Sequence, residues 1–595
     1  MKKAFLILVV SLLSLSVRAV WVDNFPITLT QPDGSVIHCF VSGDEFFNWA
    51  HDAEGYPIIQ NSSNGFYCYA VRSGESMIAS SYIVGTVNPA TAGIEKGVVF
   101  PKDNILQKRT ALEKTKIKPW AKNFGVINNL VIFITFSDQT EFPTPFAFYN
   151  NKFNSSSPDS NSMFNYFKTV SYNQLDIPST FYPLPSGGLV VSYHDPNPRS
   201  YYMPYDATTN PGGYTDQGTT EQQMLADAIN AVKSQIPGGI DLDFNNDGYV
   251  DNICFIVRGA PTAWATLLWP HRWSLYTQTV TIGSLEVSDY NLQIEDFFFL
   301  PDRGVGVLNH EMFHTLSAPD LYHYDTDYRA FRSLGPWDLM DKSKNPSQSM
   351  GAWMKNKYGL WISSIPQITA PGIYTIKSIM HPDNNAYQLQ VPNSTEEFFV
   401  FEYRRNTGVF ESSIPGSGLL ITRINNTAWG NADFPAYPDE IYAYRPGGID
   451  TINGLYMNAA FSIASGRTTF NNTSDPYDFF SDNITLGDID IHVLSETDST
   501  VTFSFNWYTG IEENDASGII VYPNPVNQSL NIDWTPYAGQ IDQISITDAL
   551  GRSIYKGECA EMIKFSFDFS QYSKGLYIVS LKGKTVNINK KIIVN

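Results

Sequence analysis

The chain has 595 residues, of which 43% are hydrophobic and 16% are charged. That composition is typical of a folded protein rather than a disordered one, and the length requires several domains. The formal net charge is −20 at pH 7. A field of this sign repels nucleic acid and anionic membrane surfaces, so neither is expected as a partner.

The N-terminus has the pattern of an export signal. Lys2 and Lys3 precede an apolar run at residues 4–15, and Val17 and Ala19 then stand at the two positions that a signal peptidase reads. The run is shorter than the roughly 20 residues that a helix needs to cross a bilayer. We therefore predict a cleaved signal peptide at 1–19 and a mature protein without a transmembrane anchor.

The exported chain carries four cysteines, Cys39, Cys68, Cys254 and Cys559. Four cysteines allow three pairings, among which the sequence does not choose. Cys39 and Cys68 both lie in alternating, strand-like segments, which favours a local disulfide between them.

A basic stretch follows a region of short strands and turns. Lys and Arg crowd into 17 positions of an otherwise acidic chain, at Lys102, Lys108, Arg109, Lys114, Lys116 and Lys118. This pattern indicates either a solvated helix face or an exposed linker that is open to proteolysis. The poor apolar periodicity and the following Pro119 favour the linker. We predict that residues 20–118 form a pro-segment with its basic linker.

From about residue 126 the pattern alternates between strands and helices. The apolar runs Leu130–Ile134 and Ile253–Val257 predict buried strands, while residues 221–236 and 305–316 have helical periodicity. This mixture predicts an α+β domain at 119–365.

Helical patterns stop beyond about residue 365. Short alternating segments predict a β-sandwich at 366–510, and a polar linker at 511–517 precedes a last all-β unit at 518–595.

One segment, HEMFHTLSAPD, carries the pattern of a catalytic zinc site. His310 and His314 are four residues apart, so on a helix both rings project from one face and can bind one zinc ion. Glu311 lies beside the metal, where it can take a proton from zinc-activated water and pass it to the leaving amine. Two histidines leave a catalytic zinc short of a ligand, and Asp320, ten positions after His310, can supply the third once the helix has ended.

The alternative is that two histidines fell four apart by chance. The apolar residues before the motif, the acidic residue after it and the turn GPWDLMDKS downstream argue against chance. Met340 in that turn is predicted to lie beneath the metal as an apolar floor, although an ordinary core methionine would fit the same pattern.

A second segment, DFNNDGYVD, has oxygen donors at alternate positions and Gly at the sixth. These features are typical of a calcium loop, but the twelfth position is not Glu, so it is no full EF-hand. An acidic turn is the alternative. The predicted calcium ligands are the side chains of Asp243, Asn245, Asp247 and Asp251 and the carbonyl of Tyr249.

Aromatic and charged residues in segments predicted to lie near a cleft are further candidates. A tyrosine among them can donate a hydrogen bond to an oxyanion, but each fits a packing role as well. They are His271, Arg272, Tyr290, Glu295, Tyr322 and Tyr328.

HEMFHTLSAPDLYHYD followed by GPWDLMD resembles the metzincin-like M6 peptidases, the immune inhibitor A family of secreted bacterial proteases. The resemblance extends through NNLVIFITFSD, DFNNDGYVDNICFIVRGA, LWPHRW and YNLQIED, over about residues 125–362. It implies that His310, His314 and Asp320 are the metal ligands, Glu311 the general base and Met340 the Met-turn residue.

The chain departs from this family at one position. The family motif usually has Gly where this chain has Ser317, and that Gly permits a sharp turn that costs other residues roughly 1–2 kcal/mol. Asp325 and His323 are therefore spare candidates for the third ligand.

The C-terminal blocks VYPNPVNQSLNI, ITDALGR, KGLYIVSL and KKIIV resemble the type A sorting domain of the type IX secretion system. The resemblance implies transport by that machinery through the periplasm and across the outer membrane. The protein would then be released or attached at the cell surface.

Together these features predict a monomeric, secreted zinc metalloendopeptidase that acts on protein or peptide substrates and is made as a zymogen. Cys39 or an aspartate are open choices for the group that blocks the zinc. Two other functions stay open: a surface adhesin or glycan-binding protein with an inactive peptidase domain, and a zinc hydrolase of non-peptide bonds.

Overall fold

The computed structural model describes residues 21–99, 123–265, 267–323, 331–431, 438–508, 519–583 and 586–595. The predicted signal peptide, the basic residues of the linker, Asp325 and Tyr328 lie outside these ranges. The described structure is mostly β-sheet with few helices. Contacts divide the chain into two compact units, residues 1–507 and 508–595, while the finer domain boundaries stay predictions.

The first unit begins with a six-stranded antiparallel sheet in which strands β1 to β6 follow one another in chain order. Its strands are β1 Val22–Thr30, β2 Val36–Gly43, β3 Asn48–His51, β4 Pro57–Gln60, β5 Tyr67–Ser73 and β6 Ser76–Ile83. The expected disulfide between Cys39 and Cys68 is not formed. Both thiols are buried and free, because β3 and β4 separate the strands that carry them.

A second sheet of the first unit has the order β10-β8-β12-β16-β13, with β11 also paired to β8. Strands β8, β12 and β16 run parallel. Every residue of β8 and β12 is buried, as expected of parallel strands that are covered on both faces. The strands of this region are β7 Gly125–Val126, β8 Asn129–Phe136, β9 Leu175–Asp176, β10 Ser179–Tyr182, β11 Tyr193–Asp195, β12 Ile253–Val257, β13 His271–Ser274, β14 Thr281–Ile282, β15 Leu285–Glu286 and β16 Asp289–Ile294.

The described α-helices all belong to the same region. They span Phe146–Asn154, Met163–Val170, Gln217–Val232, Val305–Thr315 and Ala352–Lys357. The helix predicted at 221–236 begins earlier because the Asp216 side chain caps it by accepting from the backbone N–H of Thr219. Short 3₁₀ turns lie at Arg199–Tyr202, Lys233–Gln235, Glu295–Phe299, Gly335–Trp337, Tyr456–Asn458 and Thr535–Tyr537.

Two apolar cores lie around this sheet. Leu225 and Ile229 of helix Gln217–Val232 pack into one of them, whereas Leu308 and Met312 of helix Val305–Thr315 pack into the other. The second core also contains residues from beyond 365, so the region after the α+β part packs directly on the helix Val305–Thr315.

Residues beyond 365 form two four-stranded antiparallel sheets with orders β17-β24-β23-β22 and β18-β19-β20-β21. Phe399 and Phe401 of one sheet share a core with Phe503 and Phe505 of the other, which is the arrangement of a β-sandwich. The strands are β17 Gly372–Lys377, β18 Ala386–Leu389, β19 Glu397–Arg404, β20 Gly418–Asn425, β21 Ile441–Ala443, β22 Thr469–Asn471, β23 Ile489–Glu496 and β24 Thr500–Trp507.

The second unit is all β. A three-stranded sheet, β25-β26-β29, and a four-stranded sheet, β28-β27-β30-β31, share a core around the buried Trp534. The strands are β25 Ile520–Tyr522, β26 Ser529–Asp533, β27 Gln543–Asp548, β28 Ser553–Glu558, β29 Lys564–Asp568, β30 Gly575–Lys582 and β31 Asn587–Val594. In the described parts of the chain, no helix has the length and apolar character to cross a membrane.

Candidate metal centre

The helix Val305–Thr315 carries the predicted catalytic motif in the interior of the first unit, and every one of its residues is buried. The rings of His310 and His314 lie on one face with their centroids 4.6 Å apart. Their spacing of four residues places them one helical turn apart.

The structure brings Asp320 to the same two rings. Its Oδ1 lies 2.9 Å from Nε2 of His310 and 3.3 Å from Nε2 of His314, and the two Nε2 atoms are 3.0 Å apart. Within the described ranges, these three residues are the only group of three or more His, Cys, Asp or Glu side chains close enough to hold one metal ion.

The hydrogen bonds made by the Nδ1 atoms of the two histidines determine which nitrogen of each ring carries the proton. Nδ1 of His310 donates to the Leu339 carbonyl at 3.1 Å, and Nδ1 of His314 donates to the Ala318 carbonyl at 2.8 Å. A carbonyl only accepts, so in the neutral rings both Nε2 atoms carry lone pairs that face each other and the carboxylate.

Such an arrangement fits a cation. Two lone pairs 3.0 Å apart repel unless a proton or a metal ion lies between them. Metal–nitrogen bonds of 2.0–2.1 Å in a tetrahedral site place the ligand atoms about 3.3 Å apart, close to the separations seen here. His, His and carboxylate are also the ligand types that a catalytic zinc site uses.

The way in which the helix Val305–Thr315 ends explains how Ser317 can stand where the family motif has Gly. Ser317 adopts φ 83°, in the left-handed region. Its backbone N–H donates to the His314 carbonyl at 2.9 Å, and the N–H of Ala318 donates to the Phe313 carbonyl at 3.1 Å. These two bonds form a Schellman motif, which normally places Gly at this position. The motif leaves the Ala318 carbonyl directed at the ring of His314.

Asp320 is held by a segment far along the chain. The backbone N–H of Asn431 donates to the Asp320 carbonyl at 3.0 Å, and its side chain donates to the Leu321 carbonyl at 3.2 Å. Gly430, with φ 70°, lies so close that a Cβ there would be 2.7 Å from the Asp320 carbonyl oxygen. The region between β20 and β21 therefore positions the third predicted ligand.

Burial and charge act against each other on Asp320. Burial raises the pKa of its carboxyl group; when the two rings are protonated at Nε2, the charge of His314 and the hydrogen bonds from both histidines lower it more. The pKa consequently lies well below its ordinary value, so the carboxylate is ionised and available as a ligand.

Glu311 is completely buried on the same helix. Its charge acts on Cys254 of β12: burial, and then Glu311, raise the pKa of that thiol.

The turn that contains Met340 braces the metal centre. The N–H of Leu321 donates to the Met340 carbonyl at 3.0 Å, and the Met340 side chain is buried in the core beside the catalytic helix. Asp338 holds the turn by accepting from the N–H of Met340 at 2.9 Å and of Gly351 at 2.8 Å. Burial raises the pKa of Asp338 to about 7, against these two hydrogen bonds.

A buried arginine connects this turn to the sandwich. Arg404 of β19 donates to the Trp337 carbonyl at 2.7 Å and to the Ser349 carbonyl at 3.1 Å. It also pairs with Glu402 at 3.1 Å and Glu411 at 2.6 Å. Asp338 is part of the sequence GPWDLMDKS that predicted the turn of Met340. No local sequence pattern indicated that Arg404 or Asn431 would support the metal centre.

Several other predicted candidates belong to separate networks. Nε2 of His271 lies 3.1 Å from Glu221, and the hydroxyl of Tyr290 donates to the same carboxylate at 2.6 Å, so both serve the helix Gln217–Val232. His323, a spare candidate for the third ligand, pairs instead with Asp439 at 3.1 Å.

Of three further predicted candidates, two lie in separate networks and one lies at the metal centre. Arg272 pairs with Asp289, and Glu295 accepts from the Tyr149 hydroxyl at 2.6 Å. Tyr322 is the one that lies at the centre: its ring stacks on His310 with the centroids 6.5 Å apart.

The predicted calcium loop closes on itself. Asp243 accepts from the N–H groups of Asp247 and Gly248, each at 2.9 Å, and Asp251 accepts from the N–H of Phe244 at 3.0 Å. Asn245 donates from its side chain to Asp247 at 2.7 Å. The aspartates do not come together as a group of three metal-binding side chains, and a calcium ion here stays a prediction.

Comparison with known families agrees with the geometry. The buried His-Glu-His helix with Asp320 belongs to a metallopeptidase domain: residues 241–367 match the family model of the immune inhibitor A peptidase M6 catalytic domain. That match includes the helix Val305–Thr315, Asp320 and Met340, and a metallopeptidase family implies a bound metal. The family resemblance drawn from the motif is confirmed.

Residues 520–595 match the family model of the secretion system C-terminal sorting domain. This domain indicates secretion across the outer membrane to the cell surface or the extracellular space, so the predicted localisation is confirmed. Among curated proteins no match to the chain was found.

Proposed function

We propose that the protein is a zinc-dependent endopeptidase that is secreted by the type IX machinery and made as a zymogen. The observation that carries the proposal is the convergence of His310, His314 and Asp320 on one point, with Glu311 on the same helix. His310, His314 and Asp320 would hold the zinc, and Met340 would support it from below.

When bound, zinc supplies Lewis acidity, which polarises a carbonyl and lowers the pKa of water. The chain supplies the proton transfers. The carboxylate of Glu311 takes a proton from the attacking water and then delivers it to the leaving nitrogen of the peptide bond. Because Glu311 is fully buried, its carboxylate is kept apart from bulk water in the closed chain, which strengthens its electrostatic interactions.

The orientation of the ligands is built into the protein. The Leu339 and Ala318 carbonyls hold one tautomer in both histidines, and the N–H of Asn431 fixes the main chain at Asp320. A site supported in this way needs no rearrangement to bind the ion.

Glu311→Gln tests the proposal. The variant keeps the size of the side chain but removes the base, so casein hydrolysis should fall by about 10²–10⁴-fold while bound zinc stays near one equivalent. Glu75→Gln, at an exposed position, is the matched control and should keep full activity. Full activity of Glu311→Gln would contradict the mechanism, and zymography with a chelator separates peptide hydrolysis from other hydrolytic activities.

The proposal includes a structural calcium ion at the loop of Asp243, which would fix the start of β12. Calorimetric titration of calcium into the protein, with Asp243→Asn as the comparison, measures it. If neither protein gives a heat of binding, the loop binds no calcium and is an acidic turn.

A further inference from the structure

The N-terminal sheet is packed directly on the peptidase region. Val22, Phe25 and Val41 belong to the core that holds β8, β12 and β16. The ring of Phe25 lies 4.6 Å from that of Phe297, and Asp23 forms ion pairs with Arg303 at 3.9 Å and Lys342 at 3.7 Å.

The segment 44–49, which links β2 to β3 and includes the first two residues of β3, contacts the peptidase region at residues 264 and 265. The side-chain amide of Asn48 donates to the Ala265 carbonyl, and its oxygen accepts from the Ala265 N–H at 3.2 Å. One side chain thereby satisfies both polar groups of a backbone residue, as a neighbouring extended strand would. Phe47 adds an edge-to-face contact with Trp264 at 6.0 Å.

A series of aromatic contacts connects the same segment to a zinc ligand. Tyr322 stacks on His310, and Trp21 packs against Tyr322. Trp21 in turn contacts Trp49 with the ring centroids 5.8 Å apart. Segment 44–49 thus contacts Ala265 directly and, through Trp21, the ring of Tyr322 that stacks on His310.

Glu45 is the residue of this segment whose chemistry does not match its surroundings. It is 2% exposed, and neither carboxylate oxygen has a hydrogen-bond partner. Asp44, by contrast, organises the turn by accepting from the N–H groups of Phe46 at 2.9 Å and Phe47 at 2.8 Å.

The charges around Glu45 point to the metal centre. Burial raises the pKa of Glu45, and the charges on Asp44, Glu311 and Asp320 raise it further, whereas its own N–H opposes the shift. A carboxylate in an interior that already contains Glu311 and Asp320 has a large energetic cost unless a cation is present. A divalent ion held by His310, His314 and Asp320 would supply that cation.

We infer that Glu45 closes the metal centre in the intact chain, its carboxylate contacting the bound metal ion at the position that a substrate must occupy. The inference rests on the proposed peptidase function and assigns the blocking group, which the sequence left open between Cys39 and an aspartate. Cys39 is a buried, free thiol in the core of the N-terminal sheet. Asn48 holds the turn that carries Glu45 by donating to the carbonyls of Asp44 and Ala265, so release of the N-terminal sheet frees the site.

The test compares intact chains that carry Glu45→Gln, Asn48→Ala or the control Glu54→Gln. Glu54 lies on the same sheet but is exposed, with 72% of its side chain accessible. Each protein is loaded with cobalt(II) in place of zinc, and its visible spectrum reports the ligands of the ion. Initial rates of peptide hydrolysis are then measured with zinc, while mass spectrometry verifies that the chain is uncleaved.

Glu45→Gln should change the cobalt spectrum and raise hydrolysis by the intact chain about tenfold or more, since a charge-assisted contact to the site is lost. Asn48→Ala should activate to a smaller extent, and Glu54→Gln should match the wild type in both measurements.

The failures are distinguishable. An unchanged spectrum in Glu45→Gln overturns the contact with the metal, whatever the rate, and leaves the peptidase proposal intact if Glu311→Gln is inactive. The opposite result is also possible: Glu45→Gln changes the cobalt spectrum, but the protein hydrolyses no peptide even after its N-terminal segment has been removed. That result would support the contact between Glu45 and the metal ion and would overturn the proposed peptidase function.

Discussion

The ring of His314 and the carbonyl of Ala318 are joined by a hydrogen bond of 2.8 Å in which Nδ1 is the donor. The orientation of a predicted zinc ligand thus depends on how the chain leaves its own helix. Ser317 provides that exit in a conformation that Gly adopts at no steric cost.

Ser317→Gly should stabilise the protein. A left-handed residue other than Gly costs about 1–2 kcal/mol, partly offset by the greater flexibility of Gly in the unfolded chain, so we expect a gain of about 1 kcal/mol in the free energy of unfolding. Urea denaturation measures it. Hydrolysis should be unchanged, and Ser317→Val, whose branched side chain disfavours this conformation, should be destabilised. Equal stability of all three proteins would contradict the strain.

Removal of the metal should weaken the fold as well as abolish activity. Zinc that binds only the folded chain stabilises it by about 4 kcal/mol when free zinc exceeds the dissociation constant 1,000-fold. Calorimetry with and without a chelator should show a lower unfolding temperature for the metal-free protein, restored by zinc. In a His314→Ala protein the chelator should have little effect; an equal shift there would place the stabilising ion elsewhere.

The pair His271–Glu221 should make stability depend on pH. Burial lowers the pKa of His271, but the charge of Glu221 and its hydrogen bond raise it more, so the net shift is upward. A raised folded-state pKa means that the stabilisation is complete below about pH 6.5, the unfolded value, and is lost as the pH rises through the folded value.

His271→Gln removes this titration. The difference in unfolding free energy between the wild type and the variant, measured in urea at several pH values, should therefore shrink as the pH rises from about 6 to 9. A difference that is constant over this range would show that His271 does not carry a charge in the folded protein.

Deletion of residues 519–595 should stop export at the periplasm. The second unit has its own core around Trp534, so its removal leaves the peptidase unit to fold. Fractionation of a type IX-competent bacterium should recover the shortened protein in the periplasm and the complete one at the surface or in the medium. Equal amounts of both in the medium would show that the sorting domain is dispensable.

The arrangement of His310 and His314 was predictable because two residues four apart on a helix lie on the same face, one turn apart. The strand Ile253–Val257 was predicted to the residue, since a run of buried apolar residues marks a parallel strand. Periodicity alone placed the helix Gln217–Val232 four residues late, because its start is set by the Asp216 cap.

What the sequence did not reveal depends on contacts between distant segments. Asn431 lies 111 positions after Asp320, and no spacing rule connects an amide to the carbonyl that it supports. Glu45 lies still farther away and stands in an ordinary turn. The expected Cys39–Cys68 disulfide failed for the same reason: alternating segments identify strands but do not give their order in a sheet.

The contacts of Arg404 determine where the chain can be cut to give a stable fragment. The match to the peptidase family ends at residue 367, yet the carbonyls of Trp337 and Ser349 receive their hydrogen bonds from beyond that limit. A fragment that stops there would leave buried carbonyls unsatisfied and would lose the brace on Asp320. We therefore expect the region matched by the peptidase family and the sandwich to fold as one cooperative unit, so a minimal fragment that retains the metal centre should include both.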